Sequence, residues 1–310
     1  MLNFHKEFCD FNKKIKLTKT KKEKILKSRN AVRDKIRTYF KDELKINIPL
    51  FKSQGSFVIN TALNPKEDIE VDIDDGLYLR HVDEDSDSWP KPNEIHQDIL
   101  KSLVGHTQDG CESKTSCVRV YYRKYYHLDI PVYIIKDGKA YLARTNDNSW
   151  INSDSKEFKD WFYKNRFNEQ NSRIIRYLKS WRDYLDIDFT SIELTILGIN
   201  CFVPNEDRDD KSLYNTLYKI INTLKSENSI SKPVSPYEDL WKDLSDYQKS
   251  KRISNLEDFL DDINTALNNN SGNRASLVFR ELFGECFPLK KEQEQEEIKE
   301  YTTGAKLWGK

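Results

Sequence analysis

QGSFVINTALNPKEDIEVDIDDG, residues Gln54 to Gly76, is the stretch whose reading decides the fold. It sets a Gly-Ser pair ahead of a short apolar segment, breaks at Asn64-Pro65, and delivers Asp72 and Asp74 on a strand-like run closed by Gly76. Alternate side chains of an extended strand share a face, so Asp72 and Asp74 point the same way while Ile73 points into the layer behind. Two carboxylates on one face repel unless a positive charge lies between them, and a hard divalent cation, Mg²⁺ above all, meets that need with oxygen ligands. Upstream, Gly55 lets a polyphosphate approach the backbone and Ser56 offers a hydroxyl. Phe57 to Leu63 is read as the start of a helix whose N-terminal amides favour anions. Phosphates at one end and metal at the other describe a nucleoside triphosphate site.

Working outward, 310 residues with 37% hydrophobic and 33% charged content make a chain long enough for two lobes with a core that needs no disulfide staples. The 51 basic residues balance 51 acidic ones, so charge does not call for a long nucleic-acid partner. Five scattered cysteines without a C-x-x-C pair fit a reducing compartment and spell out no zinc site. The first residues, MLNFHKEFCDFNKK, hold no apolar core of signal-peptide length and no window is long and apolar enough to span a bilayer, so a cytoplasmic location is expected. From Thr18 to Leu44, Ile25, Val32, Ile36, Phe40 and Leu44 recur at spacings of seven and four, which predicts one long amphipathic helix with a solvated basic face.

After Gly76 come a polar loop, Asp83 to Pro92, and a helix over Asn93 to Leu103. His81, His96 and His106 share no ligand spacing and are read as surface or structural residues. Two runs rich in Val, Ile and Tyr, Cys117 to Tyr122 and Tyr125 to Ile135, predict strands. Asp129 is a lone carboxylate in the second run, YYHLDIPVYII. Burying it unpaired would cost several kcal/mol, so it either pairs with Arg119 or Arg123 or serves as a third metal ligand. The second half is read as helical, with apolar spacing over Ser153 to Tyr163, Gln170 to Tyr184, Ser191 to Val203, Lys211 to Lys225, Asn255 to Leu267 and Arg274 to Phe283. Arg173, Arg176, Lys179 and Arg182 drift around a 3.6-residue helix and cannot all face one site. Trp241 and Tyr247 are read as core.

The order QGSF, VDIDDG, HLDIPVY resembles the nucleotidyltransferase core of the bacterial cGAS/DncV-like nucleotidyltransferases, which make cyclic oligonucleotide signals in anti-phage defence. NDNSWINSDSKEFKDWF, RIIRYLKSWRD, TSIE and SGNRAS extend the resemblance toward the DncV-like branch. It implies an α+β, bilobal, polymerase-beta-like fold. Residues 1–150 would form the catalytic lobe with its mixed sheet and a long bracing helix, 151–288 a helical substrate-binding lobe, and 289–310 a flexible tail. It also implies that Asp72, Asp74 and Asp129 bind two Mg²⁺ ions, for which Mn²⁺ can substitute. Gln54, Gly55 and Ser56 would hold the donor triphosphate, with Lys179 and Ser191 gripping it from the helical lobe. Arg119 would contact substrate, and Ser153 and Asp154 would read the acceptor base; Asp154 also reads as a helix N-cap in a capping box with Glu157. Ile59 stands where the branch carries an aromatic residue, and Ser229 to Asp239 looks shorter than its counterpart; both bear on base choice.

The implied partners are NTP substrates, a downstream effector reached through the cyclic product, and a ubiquitin-like conjugating enzyme acting at the C-terminus. The implied product is a purine-containing cyclic di- or trinucleotide such as 3′3′-cGAMP. A linear nucleotidyltransferase and a non-catalytic nucleotide-binding module are the alternatives, the first weakened by the absence of net positive charge and the second by the three mutually repelling carboxylates.

Overall fold

The computed structural model describes residues 1–64, 71–80, 82, 85–122, 126–153 and 155–291. Among them, eight strands form one mixed sheet in the order β3-β4-β5-β2-β6-β7-β8, with β1 paired to β2. The strands are β1 (Leu50–Gln54), β2 (Val71–Tyr78), β3 (Cys111–Ser113), β4 (Val118–Tyr122), β5 (Tyr126–Ile130), β6 (Val132–Lys136), β7 (Lys139–Arg144) and β8 (Ser149–Asn152). The strand β2 is the hub. It runs antiparallel to β1 and parallel to β5 and β6.

The expected single strand over Tyr125 to Ile135 is two, because Pro131 has no N–H to give a ladder. Its carbonyl still accepts from Leu77 N at 2.9 Å, which carries the pairing of β2 from β5 to β6. The helix expected over Phe57 to Leu63 is a single turn, α3 (Gly55–Val58), followed by Asn60 in the left-handed region at φ 59°.

The long helix expected over Thr18 to Leu44 is present as α2 (Lys19–Thr38), which ends in a π-turn over Tyr39–Glu43, and a further helix that was not expected, α1 (His5–Ile15), precedes it. Phe4, Phe8, Phe11 and Ile15, spaced by four, three and four, bury into a core shared with the later helices. Ile25, Val32, Ile36 and Phe40 bury instead against the sheet, with Ile73, Leu77, Val118, Val120 and Leu128. The two cores are therefore bridged by a helix pair bent at residues 16–18.

The remaining helices are α4 (Pro92–Ser102), α5 (Ser155–Asn165), α6 (Glu169–Leu185), α7 (Ser191–Asn200), α8 (Asp209–Glu227), α9 (Asp246–Leu267) and α10 (Gly272–Phe283). Helix α6 is central to the second core, contributing Ile174, Tyr177, Leu178 and Trp181, and Trp181 stacks on Phe259 of α9 at 4.5 Å. Trp241 is buried as expected, whereas Tyr247 is not core: it lies in the first turn of α9 with 75% of its surface exposed. His96 is fully buried beside Ser113 Oγ at 2.8 Å, and burial pushes its pKa down to about 4. His106 meets the Tyr122 hydroxyl at 3.0 Å. His81, Arg123, Asp154 and the tail from 292 lie outside the described residues. No helix of the described residues is long and apolar enough to cross a membrane.

Candidate active site

A cavity of about 390 Å³ opens where the sheet meets α6 and α7. Its lining includes Gln54, Gly55, Ser56, Asp72, Asp74, Asp129, Ser153, Lys179 and Ser191. Residues from Gln54 to Ser191, far apart in sequence, thus face one space.

Strand register places the carboxylates. In the parallel pair β2 and β5, Asp74 lies beside Asp129 and Asp72 beside His127, while on its other side Asp74 pairs with Gln54 of β1. The two i, i+2 motifs, Asp72-x-Asp74 and His127-x-Asp129, are therefore in step on neighbouring strands, both facing the cavity side of the sheet. Asp75, the next residue, points the other way and is fully engaged: Arg33 donates to it from Nε and Nη2, and Ser53 Oγ donates to it at 2.9 Å. That buried network fixes β1 and β2 from behind.

The outer two aspartates each have a basic partner. His127 Nε2 lies against a carboxylate oxygen of Asp72, whose pKa is lowered chiefly by that hydrogen bond. Arg119, directly opposite Asp129 in the β4–β5 register, binds it with Nε at 2.7 Å and Nη2 at 2.8 Å. The pairing offered as one reading of Asp129 is thus present, and Arg119, expected to touch substrate, is held by Asp129 and is not in the cavity lining. Asp74, between them, is raised to about 7 by burial first and then by the charges of Asp129 and Asp72. A half-buried carboxylate pushed up by two others is a donor set suited to a hard divalent cation. Among the described residues, the group whose ligand atoms all lie within 4.8 Å of one another is His5, Cys9 and Asp209, so the oxygens of the three aspartates do not all fall within that distance.

Gly55 closes over Asp74. At φ +71° it occupies backbone space other residues rarely take, and a Cβ there would lie 2.0 Å from Asp74 Oδ2. Gln54 is buried, its side-chain amide donating to the Tyr133 hydroxyl at 3.3 Å.

The opposite wall is cationic. Lys179, almost wholly buried on α6, donates to Thr61 Oγ1 at 3.1 Å, and burial, with Arg182 adding to it, lowers its pKa to about 7. Ser191 is the first residue of α7, a helix started by a capping box between Thr190 and Glu193, and its Oγ accepts from Arg182 Nη1 at 3.0 Å. An ammonium and a helix N-terminus on one wall form a place for an anion. Lys232 also lines the cavity, on a segment tied to β8 and α5 through Ser235, which bonds Asn152 and whose N–H donates to Glu157 Oε2 at 3.4 Å. His127 and Lys232 were missed in sequence; His127 was legible in principle, because it precedes Asp129 by the same two residues that separate Asp72 from Asp74.

Residues 49–133 match the family described as "Cyclic GMP-AMP synthase DncV-like, nucleotidyltransferase domain". Among curated proteins, the chain is 28% identical over 241 residues to a cyclic GMP-AMP synthase of Vibrio cholerae serotype O1, covering 60% of this chain and 55% of that protein. It is 26% identical over 115 residues to a c-di-GMP synthase of Roseivirga ehrenbergii, covering 35% and 30% respectively. The matches therefore span about half the length of the first relative and under a third of the second. Among solved structures, the Vibrio cholerae DncV cyclic AMP-GMP synthase in complex with nonhydrolyzable GTP superposes with a TM-score of 0.81 at 21% identity, covering 94% of this chain and 100% of that one. The same protein in complex with the linear intermediate 5′ pppA(3′,5′)pG gives 0.78 at 22%, covering 94% and 99%. Strand β2 and its aspartates lie inside the matched region, so residues 49–133 are similar to the DncV-like nucleotidyltransferase domain, and the fold is that of the DncV structures.

Proposed function

We propose that this chain is a cyclic dinucleotide synthase acting on purine NTPs, with 3′3′-cGAMP the leading product, and that its product is a second messenger in anti-phage defence. The observation that carries the reading is the convergence of Asp72, Asp74 and Asp129 with Gly55, Ser56, Lys179 and Ser191 on one cavity. In the reaction a ribose 3′-hydroxyl of one nucleotide attacks the α-phosphorus of another; a P–O bond forms, the bond from the α-phosphorus to the bridging oxygen breaks, pyrophosphate leaves with that oxygen, and the hydroxyl proton passes to a carboxylate of the cavity. A second such step closes the ring.

Ser56 and the Gly55 backbone, Lys179, Ser191 and the first turn of α7 hold the donor triphosphate in line. Asp72, Asp74 and Asp129 would hold the divalent metal, which we assign as two Mg²⁺ ions, replaceable by Mn²⁺. When bound, these supply charge neutralisation at the attacking oxygen and the leaving pyrophosphate. Asp72 and Asp129 exchange His127 and Arg119 for that role, which releases Arg119 toward substrate. Ser153, at the cavity edge, and Asp154 beside it in sequence contact the acceptor base. The division into a catalytic lobe over 1–150, a substrate lobe over 151–288 and a tail, the cytoplasmic setting, a downstream effector, and attachment of the tail by a ubiquitin-like conjugating enzyme belong to the same proposal.

The test is incubation of the full chain with four labelled NTPs and Mg²⁺ or Mn²⁺, phosphatase treatment and mass spectrometry, beside Asp72→Ala/Asp74→Ala. A phosphatase-resistant cyclic product absent from the variant is expected. Linear products would replace the proposal with an oligonucleotide-extending enzyme.

A further inference from the structure

Helix α6 reaches the turn after Gly55-Ser56 with two cations, one helical turn apart, and only Lys179 has so far been given a role. Arg176 is 1% exposed. It donates Nε to Asn12 Oδ1 of α1 at 2.7 Å and Nη1 to the Asn60 carbonyl at 2.6 Å. From α2, Lys22 Nζ donates to Asn60 Oδ1 at 2.7 Å. Asn60, at φ 59°, is thus gripped by its carbonyl and its side chain while it holds a left-handed conformation. The turn is closed on itself, since the Ser56 carbonyl accepts from Thr61 N at 3.0 Å and Ala62 N at 3.2 Å. Whatever fixes Asn60 therefore fixes Ser56.

Among the described residues no carboxylate pairs with Arg176. A guanidinium buried with neutral acceptors alone is costly relative to an apolar side chain of similar size. That cost is offset if the charge and the fixed donor serve an anion nearby. We propose that Arg176 is a positioning residue for nucleotide binding: through the Asn60 carbonyl it locks the Gly55-Ser56 turn to the helical lobe, and it sets a permanent positive charge behind the triphosphate. The inference rests on reading the cavity as an NTP site.

The experiment is calorimetric binding of a nonhydrolysable GTP analogue with Mg²⁺ to the full-length wild type, Arg176→Met, Arg176→Lys, Ser56→Ala and the Arg176→Met/Ser56→Ala pair, with circular dichroism as the check on folding. Loss of one charged, buried hydrogen bond corresponds to roughly a 10- to 100-fold weaker Kd for Arg176→Met. Arg176→Lys, which keeps the charge but has three N–H donors on one nitrogen in place of a five-donor fork, is expected to fall between. The double variant is expected to lose less than the product of its single losses, because both changes act on one turn. Unchanged affinity in Arg176→Met overturns the inference, as do strictly multiplicative losses with Arg176→Lys no better than Arg176→Met. If Arg176→Met does not fold, Arg176→Lys decides: weaker binding supports the role and wild-type affinity overturns it. A wild type that does not bind the analogue would overturn the nucleotide reading itself, and this inference with it.

Discussion

Replacing Asp74 by Asn removes one charge from the centre of the carboxylate cluster and should make the metal-free protein more stable while abolishing its chemistry. Burial and the two neighbouring aspartates raise the Asp74 pKa from 3.8 to about 7. The folded state thus holds this proton more tightly than the unfolded state, and the wild type loses stability as pH rises from about 4 to about 7. At pH 8 the full three-unit shift corresponds to ~4 kcal/mol. Asp74 is half-buried at an open cavity, so water screens part of this, and about 2–3 kcal/mol is the working figure. For a chain of this size that is a rise in Tm of roughly 5 °C. The assay is thermal denaturation in a chelator from pH 4 to pH 8, wild type against Asp74→Asn. The gap should be small at pH 4, widen with pH and level off above 7. Added Mg²⁺ should then stabilise the wild type and leave the variant nearly unmoved. A variant no more stable than wild type at pH 8 in chelator, or a gap independent of pH, would refute the reasoning.

Gly55→Ala should lower turnover at least ~100-fold, because a Cβ 2.0 Å from Asp74 Oδ2 on a backbone at φ +71° forces the carboxylate out of place; steady-state kinetics would show it, and near-normal turnover would contradict the close approach. Lys179→Met should remove a buried ammonium whose pKa has fallen to about 7, so its melting temperature at pH 7 should match or exceed that of wild type while GTP-analogue binding is lost; a large fall in stability with binding retained would reverse its assignment. His96 has its pKa lowered to about 4, so its contribution is complete above the ordinary value of 6.5 and is lost as pH falls toward 4, to an extent of about 3 kcal/mol. Denaturant titrations at pH 7 and pH 4.5 should show that loss in wild type and its reduction in His96→Asn; equal slopes with pH would count against it.

The aspartate pair on β2 was legible because strand alternation is local: once Asp72-Ile73-Asp74 is extended, its geometry follows from the backbone. Most helices were legible for the same reason, their apolar spacing being a property of neighbours in sequence. The split at Pro131 was written in the chain too, as the loss of an N–H. Helix α1 carried its own signal in Phe4, Phe8, Phe11 and Ile15, but which core those residues join depends on α6, α8 and α10, far along the chain.

Pairing across strands is where sequence stops. Whether Asp129 is an ion-pair partner or a ligand could not be resolved from YYHLDIPVYII, since Arg119 comes opposite it only in the β4–β5 register and His127 meets Asp72 only in the β2–β5 register. Lys232 reaches the cavity through the fold of the segment around Ser235, and Arg176 acts on a backbone carbonyl, a group that every residue carries and no residue type announces. The sequence by itself determined the chemistry available at each position and the periodicity of most elements, because both are local. Only the tertiary structure decided which charges neutralise one another and which remain for a ligand, because those energies depend on distance and burial between residues far apart in sequence, as Lys290 is from Glu7 and Lys179 from Thr61.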